Sequence, residues 1–119
     1  MGLSVATEEL EDLVLVTLSG ELDIYTVPSF RQELDRYDPG ETQLVIDLSD
    51  VTLLDSSGLG ALVSLLNRAR GGGRRLGLVC PHRHLRRVFE ITGLRRAFTF
   101  GDDLGAVRES LAADAGTTA

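Results

Sequence analysis

Strand-like and helix-like spacings of apolar residues take turns along this 119-residue chain, and that alternation limits the fold more than any other feature. A strand buries alternate residues, or all of them when both its faces are covered, whereas a helix buries every third or fourth. Residues 13–18 (LVLVTL) form a short β-branched run stopped by Ser19-Gly20. Residues 3–7 read as a strand before it, with the acidic stretch 8–12 as the turn between them. Residues 44–48 (LVIDL) are nearly all apolar, the pattern of a strand covered on both faces. Shorter strands are expected at 75–80 and 98–100. The segments between them are helical. Residues 26–37 have Thr26 as a cap, Pro28 in the first turn and Phe30, Leu34 and Tyr37 facing inward. Residues 56–70 carry the stripe Leu59, Leu62, Val63 and Leu66; residues 81–92 stop at Gly93; a last helix, capped by Asp102 or Asp103, runs to about residue 113. Strand–helix–strand connections of this kind imply parallel strands and right-handed crossovers, with the opening strand pair antiparallel. The expected fold is α/β: one domain over residues 1–119, with a mixed, mostly parallel sheet of four or five strands and about four helices. Its core spans about 3–113, and the small polar tail 114–119 is expected to fray.

Charge and cysteine usage narrow the function. Twelve basic residues, all arginine, stand against eighteen acidic ones, a net charge of −6. That balance disfavours direct nucleic-acid binding and anionic membrane surfaces. The single cysteine, Cys80, excludes an intramolecular disulfide and fits a reducing compartment. No secretory signal pattern opens the chain, and no segment approaches the ~20 apolar residues that span a bilayer. A cytoplasmic protein is the expectation.

Several patterns that resemble chemistry have plainer readings. Cys80, His82 and His84 offer three ligand types within five residues, yet they lack a second cluster and zinc-like spacing, so no metal is expected. Gly71-Gly72-Gly73-Arg74-Arg75 lacks the Gly-Lys-Ser/Thr of a phosphate loop and follows a helix, so it reads as an exit loop and no cofactor is expected. Arg83, Arg86, Arg87, Arg95 and Arg96 are most simply a solvated face, with contact to an acidic partner as the lesser reading. A hydrolase would need a nucleophile, a base and an orienting group. No Gly-x-Ser-x-Gly elbow occurs, and the only histidines lie on a different crossover, so no enzymatic activity is expected.

The most specific stretch runs VIDLSDVTLLDSSGLG over residues 45–60: a buried strand, a short loop, then Asp55-Ser56-Ser57-Gly58 opening a helix. In parallel α/β sheets partners are met outside the carboxyl ends of the strands. A hydroxyl there faces outward, at a helix end whose free N–H groups favour negative charge. Capping alone leaves Ser56 and Ser57 equally free to be that hydroxyl, although Ser57 suits the helix cap better.

With its flanking strand, this stretch resembles the phosphorylation loop of the anti-sigma-factor antagonists, bacterial STAS-domain proteins. Three further stretches agree in order and spacing: LSGELD at 18–23, residues 73–80, and RRVFEITGL at 86–94. The resemblance covers about residues 3–113 and implies a single STAS-like domain. It implies that Ser56 is phosphorylated by an anti-sigma factor that is a protein-serine kinase. The unmodified form would bind that kinase and free the sigma factor; the phosphorylated form would be released and reset by a serine phosphatase. The implied partner-binding residues are Asp23, Asp55, Ser56, Ser57, Gly58 and Leu59, with Gly58 letting the partner's backbone approach and Leu59, with Leu65, adding apolar area. Asp23 reads equally well as a turn-closing residue. The alternative is a STAS module that acts as a passive scaffold or small-ligand sensor, without phosphoswitching.

Overall fold

Pairing in the computed structural model, which describes residues 2–116, gives one five-stranded sheet of order β1-β2-β3-β4-β5. β1 (Leu3–Glu9) is antiparallel to β2 (Val14–Leu22); β3 (Leu44–Leu54), β4 (Gly77–Val79) and β5 (Thr99–Gly101) follow in parallel. The helices are α1 (Val27–Leu34), α2 (Ser56–Gly71), α3 (Arg83–Ile91) and α4 (Leu104–Gly116). From β2 onward each new strand joins the same growing edge. Right-handed crossovers therefore put α1, α2 and α3 on one face of the sheet, leaving the other to α4.

The burial pattern obeys that geometry. Val16, Leu18, Ile46, Leu48 and Leu78 point into the larger core, with Phe30 and Leu34 of α1, Leu62 and Leu66 of α2, and Leu85 and Phe89 of α3. Alternate residues of the same strands, Val45 and Val79, meet Val107 of α4 in a smaller second core. Phe89 packs edge-on against Phe98 and Phe100, 5.4 and 5.0 Å between ring centroids, which fixes α3 over β5. Within β3, Asp47 faces the side of α4, where its Oδ1 accepts from the N–H and hydroxyl of Ser49 at 2.9 and 2.6 Å.

Boundaries differ from the sequence reading where it matters most. The loop expected after residue 48 does not exist. β3 continues to Leu54, and β2 continues past Ser19-Gly20 to Leu22, the two extensions pairing across irregular register from Ser19↔Asp50 to Leu22↔Leu54. Gly20 makes this possible. Its φ is +111°, and a Cβ there would lie 2.2 Å from the Gly2 carbonyl oxygen, which accepts the Glu21 N–H. Helix α1 is shorter than expected and ends at Leu34; Tyr37 remains buried but is held by a single turn, its N–H donating to the Leu34 carbonyl. Thr26 occupies the cap position, yet its hydroxyl donates to the Glu21 carbonyl at 2.7 Å instead of capping. Asp103 caps α4, accepting from Ala106 N–H at 2.8 Å. That helix reaches Gly116, beyond the expected 113, and the rest of the expected tail, 117–119, lies outside the described residues. Among the described residues no helix is long and apolar enough to cross a membrane.

Candidate functional site

The extended ends of β2 and β3 deliver two aspartates side by side. β3 passes directly into α2 through Asp55, the N-cap, whose Oδ1 accepts from Gly58 N–H at 2.9 Å. Its Oδ2 accepts from Ile24 N–H at 3.1 Å, and its own N–H donates to the Leu22 carbonyl at 3.3 Å. One residue thus joins the end of β2 through its N–H, and the β2–α1 loop and the first turn of α2 through its carboxylate. A cap of this kind is worth about 1 kcal/mol. Asp23, at the start of that loop, accepts through Oδ1 from Tyr25 and Thr26 N–H at 2.9 and 3.1 Å, while its N–H donates to Thr26 Oγ1. Its carboxylate closes the turn, at the rim where the sequence put it.

Ser56 occupies the first position of α2, is exposed, and its hydroxyl makes no hydrogen bond among the described residues. Ser57 follows, half-buried. Three expectations are corrected. The cap is Asp55 and not Ser57, because the carboxylate reaches both Gly58 and Ile24 from the extended backbone at the strand end. Gly58 is buried and faces its own chain: a Cβ there would lie 2.3 Å from the Leu22 carbonyl oxygen and 2.9 Å from the Leu54 side chain, so the missing side chain makes room for the chain's own strand end. Leu59 and Leu65 are buried too, since the helical stripe of α2 carries both into the core. Neither offers contact area to another polypeptide.

The apolar area at this rim comes from residues the sequence reading passed over. Ile24 is 61% and Tyr25 87% exposed, on the loop that Asp55 anchors, and Leu53 of β3 is 44% exposed. Two consecutive large apolar residues between a strand and a helix, with no helical or strand periodicity, were the only signal in the sequence. Single exposed apolar residues are ordinary; here two consecutive ones stand on a loop held by Asp55, the residue before Ser56.

The other sequence patterns do not join the site. The Cys80 thiol is buried, and burial pushes its pKa up, the opposite of an activated thiol. His82 holds the Ser49 carbonyl through Nε2, and no group of metal-binding side chains occurs among the described residues. Gly72 packs directly on the backbone of Gly40, where a Cβ would clash, so the glycine run serves helix exit and packing.

Comparison with known proteins bears on the family and the fold. The model for the STAS domain matches residues 4–107. The anti-sigma-B factor antagonist of Bacillus subtilis is 34% identical over 95 residues, covering 80% of this chain and 87% of that protein. The crystal structure of an anti-sigma factor antagonist from Mycobacterium paratuberculosis superposes with a TM-score of 0.77 at 27% identity, covering 92% of this chain and 94% of that one. The phosphorylated form of the Bacillus cell fate determinant SpoIIAA shares the fold, with a TM-score of 0.69 at 21% identity over 89% of this chain and 98% of that one. With five strands, four helices and the strand-to-helix turn at Asp55 in place, this chain belongs to the STAS-domain family.

Proposed function

We infer that this protein is an anti-sigma factor antagonist, a binding regulator and not an enzyme, and that Ser56 is its phosphorylation switch. The relatives named as anti-sigma-B factor antagonists support the first statement. The observation that carries the second is the exposed Ser56 hydroxyl, free of internal partners, on the rigid first turn of α2.

The surface around it suits a protein partner. Tyr25 and Ile24 supply apolar anchors, and Asp55 and Asp23 hold the loop that carries them. Ser56 has no base of its own. The Asp55 carboxylate already accepts two backbone N–H groups, so the base that removes the serine proton belongs to the kinase. In the transfer the Ser56 oxygen bonds to the terminal phosphorus of ATP, the bond to ADP breaks, and the proton passes to that base. A serine phosphatase hydrolyses the ester and restores the binding form.

Incubation with the anti-sigma kinase and ATP, followed by peptide mass spectrometry, tests the assignment. Phosphate is expected on Ser56, and none is expected in Ser56→Ala, which still binds the kinase; phosphate on Ser57 in the wild type would overturn it. Tyr25→Ala is expected to raise the dissociation constant for the unphosphorylated complex by about 30-fold, since a buried aromatic anchor contributes about 2 kcal/mol. Its melting temperature is expected to stay unchanged because the ring is solvated in the free protein. Calorimetric titration and thermal unfolding read the two quantities.

A further inference from the structure

We propose that the outward face of α3 binds an acidic polypeptide segment carrying an apolar side chain, at a surface separate from Ser56. Five of the twelve arginines fall within residues 83–96, together with a single acidic residue, Glu90. The rest of the chain carries seven arginines against seventeen acidic residues. Four of those five arginines line one surface of a protein that is otherwise strongly acidic.

That face is a surface groove of about 550 Å³ lined by Arg83, His84, Arg86, Arg87, Glu90 and Arg95. Its cations are unequal. Arg86 is committed, donating to the Cys80 carbonyl at 2.6 Å and to Asp102 at 2.9 Å, and Arg95 lies 3.6 Å from Glu90. Arg83 and Arg87 are exposed and have neither an ion pair nor a hydrogen bond among the described residues. Arg83 also opens α3 at its positive end, and the first turn of that helix contains no acidic residue. A cation at that end is unfavourable, and no contact of Arg83 among the described residues offsets it.

Ile91, one turn beyond Arg87, is 75% exposed. From Arg83 to Ile91 the helix spans about 12 Å, the reach of four extended residues. Alternating carboxylates and one aliphatic side chain match that row of two guanidinium groups and an isoleucine. Glu90 within the groove and the acidity of the remaining surface both repel a polyanion such as DNA or an anionic bilayer. A short acidic peptide avoids most of that repulsion.

The test titrates the 15N-labelled full chain with a twelve-residue Glu/Asp peptide bearing one central leucine, at low salt. Shifts are expected at amides of 83–91 and near Arg95, with residues 55–58 unmoved, so the result is independent of the Ser56 reading. Arg83→Glu/Arg87→Glu is expected to weaken binding about tenfold or more, from two reversed contacts of up to about 1 kcal/mol each. The peptide with leucine replaced by glycine is expected to bind more weakly as well. Circular dichroism checks the fold of the charge-reversed variant; if it is lost, Arg83→Gln/Arg87→Gln is expected to show the same direction of loss. Unchanged affinity in a folded variant overturns the proposal. So does tighter binding of a DNA duplex, or of phosphatidylserine vesicles, than of the peptide.

Discussion

Ser56→Asp is expected to keep the fold and lose the anti-sigma partner. In the free protein the new carboxylate sits at the first position of α2, where a negative charge faces unsatisfied N–H groups and gains about 0.3–1 kcal/mol. Thermal unfolding is expected to show an equal or slightly higher melting temperature. In the proposed complex the same charge is expected to be enclosed beside Asp55, whose carboxylate Gly58 and Ile24 hold in the free chain. An uncompensated buried charge costs about 3–5 kcal/mol, so affinity is expected to fall by more than about 100-fold. Ser56→Asn separates charge from size: nearly as large as aspartate but neutral, it is expected to stay within about tenfold of wild type. Titration calorimetry of the three proteins against the same kinase decides. Equal losses for Asn and Asp would make bulk the latch, and unchanged affinity for Asp would remove charge from the account. Phosphate, with about −1.5 to −2 charges, acts in the direction of Asp and more strongly.

Much of this arrangement was legible in the residues. The near-continuous apolar run 44–48 required a covered central strand, and β3 is that strand. Asp-Ser-Ser-Gly required a helix start, and α2 begins at Ser56. The reach of the two strands was not legible. Ser19-Gly20 and Ser49-Asp50 have the composition of turns, and only pairing between the two segments, which no local pattern encodes, makes them strand. The loop reading of residues 49–54 followed from that. Exposure of Ile24 and Tyr25 was hidden for a related reason. The loop stands out because Asp55, 31 residues away, takes the Ile24 N–H. The cap was misassigned for the same cause: serine and aspartate cap equally well by propensity, and the strand geometry before the helix chose aspartate.

The two glycines of Gly58-Leu59-Gly60 look alike in the sequence and are expected to respond to alanine in opposite directions. Both lie inside α2, where replacing glycine by alanine gains about 0.8–1 kcal/mol of helix propensity. At Gly60 a Cβ would meet nothing within 4 Å, so Gly60→Ala is expected to keep that gain and raise the melting temperature by several degrees. At Gly58 the Cβ would lie 2.3 Å from the Leu22 carbonyl oxygen and 2.9 Å from both Leu22 Cγ and Leu54 Cδ1. The nearest atom is backbone, and the same oxygen accepts the Asp55 N–H, so α2 must shift away from the ends of β2 and β3. Overpacking of this kind costs about 1–3 kcal/mol or more, enough to exceed the helical gain. Gly58→Ala is therefore expected to lower the melting temperature by several degrees. It is also expected to loosen the Asp55–Ile24 link and so weaken partner binding about tenfold, through a loop the mutation never touches. Thermal unfolding of both variants, with calorimetric binding, measures the contrast. Destabilisation of both alike would mean that helix packing in general, and not the tight seat of α2 on the strand ends, sets the position of Ser56.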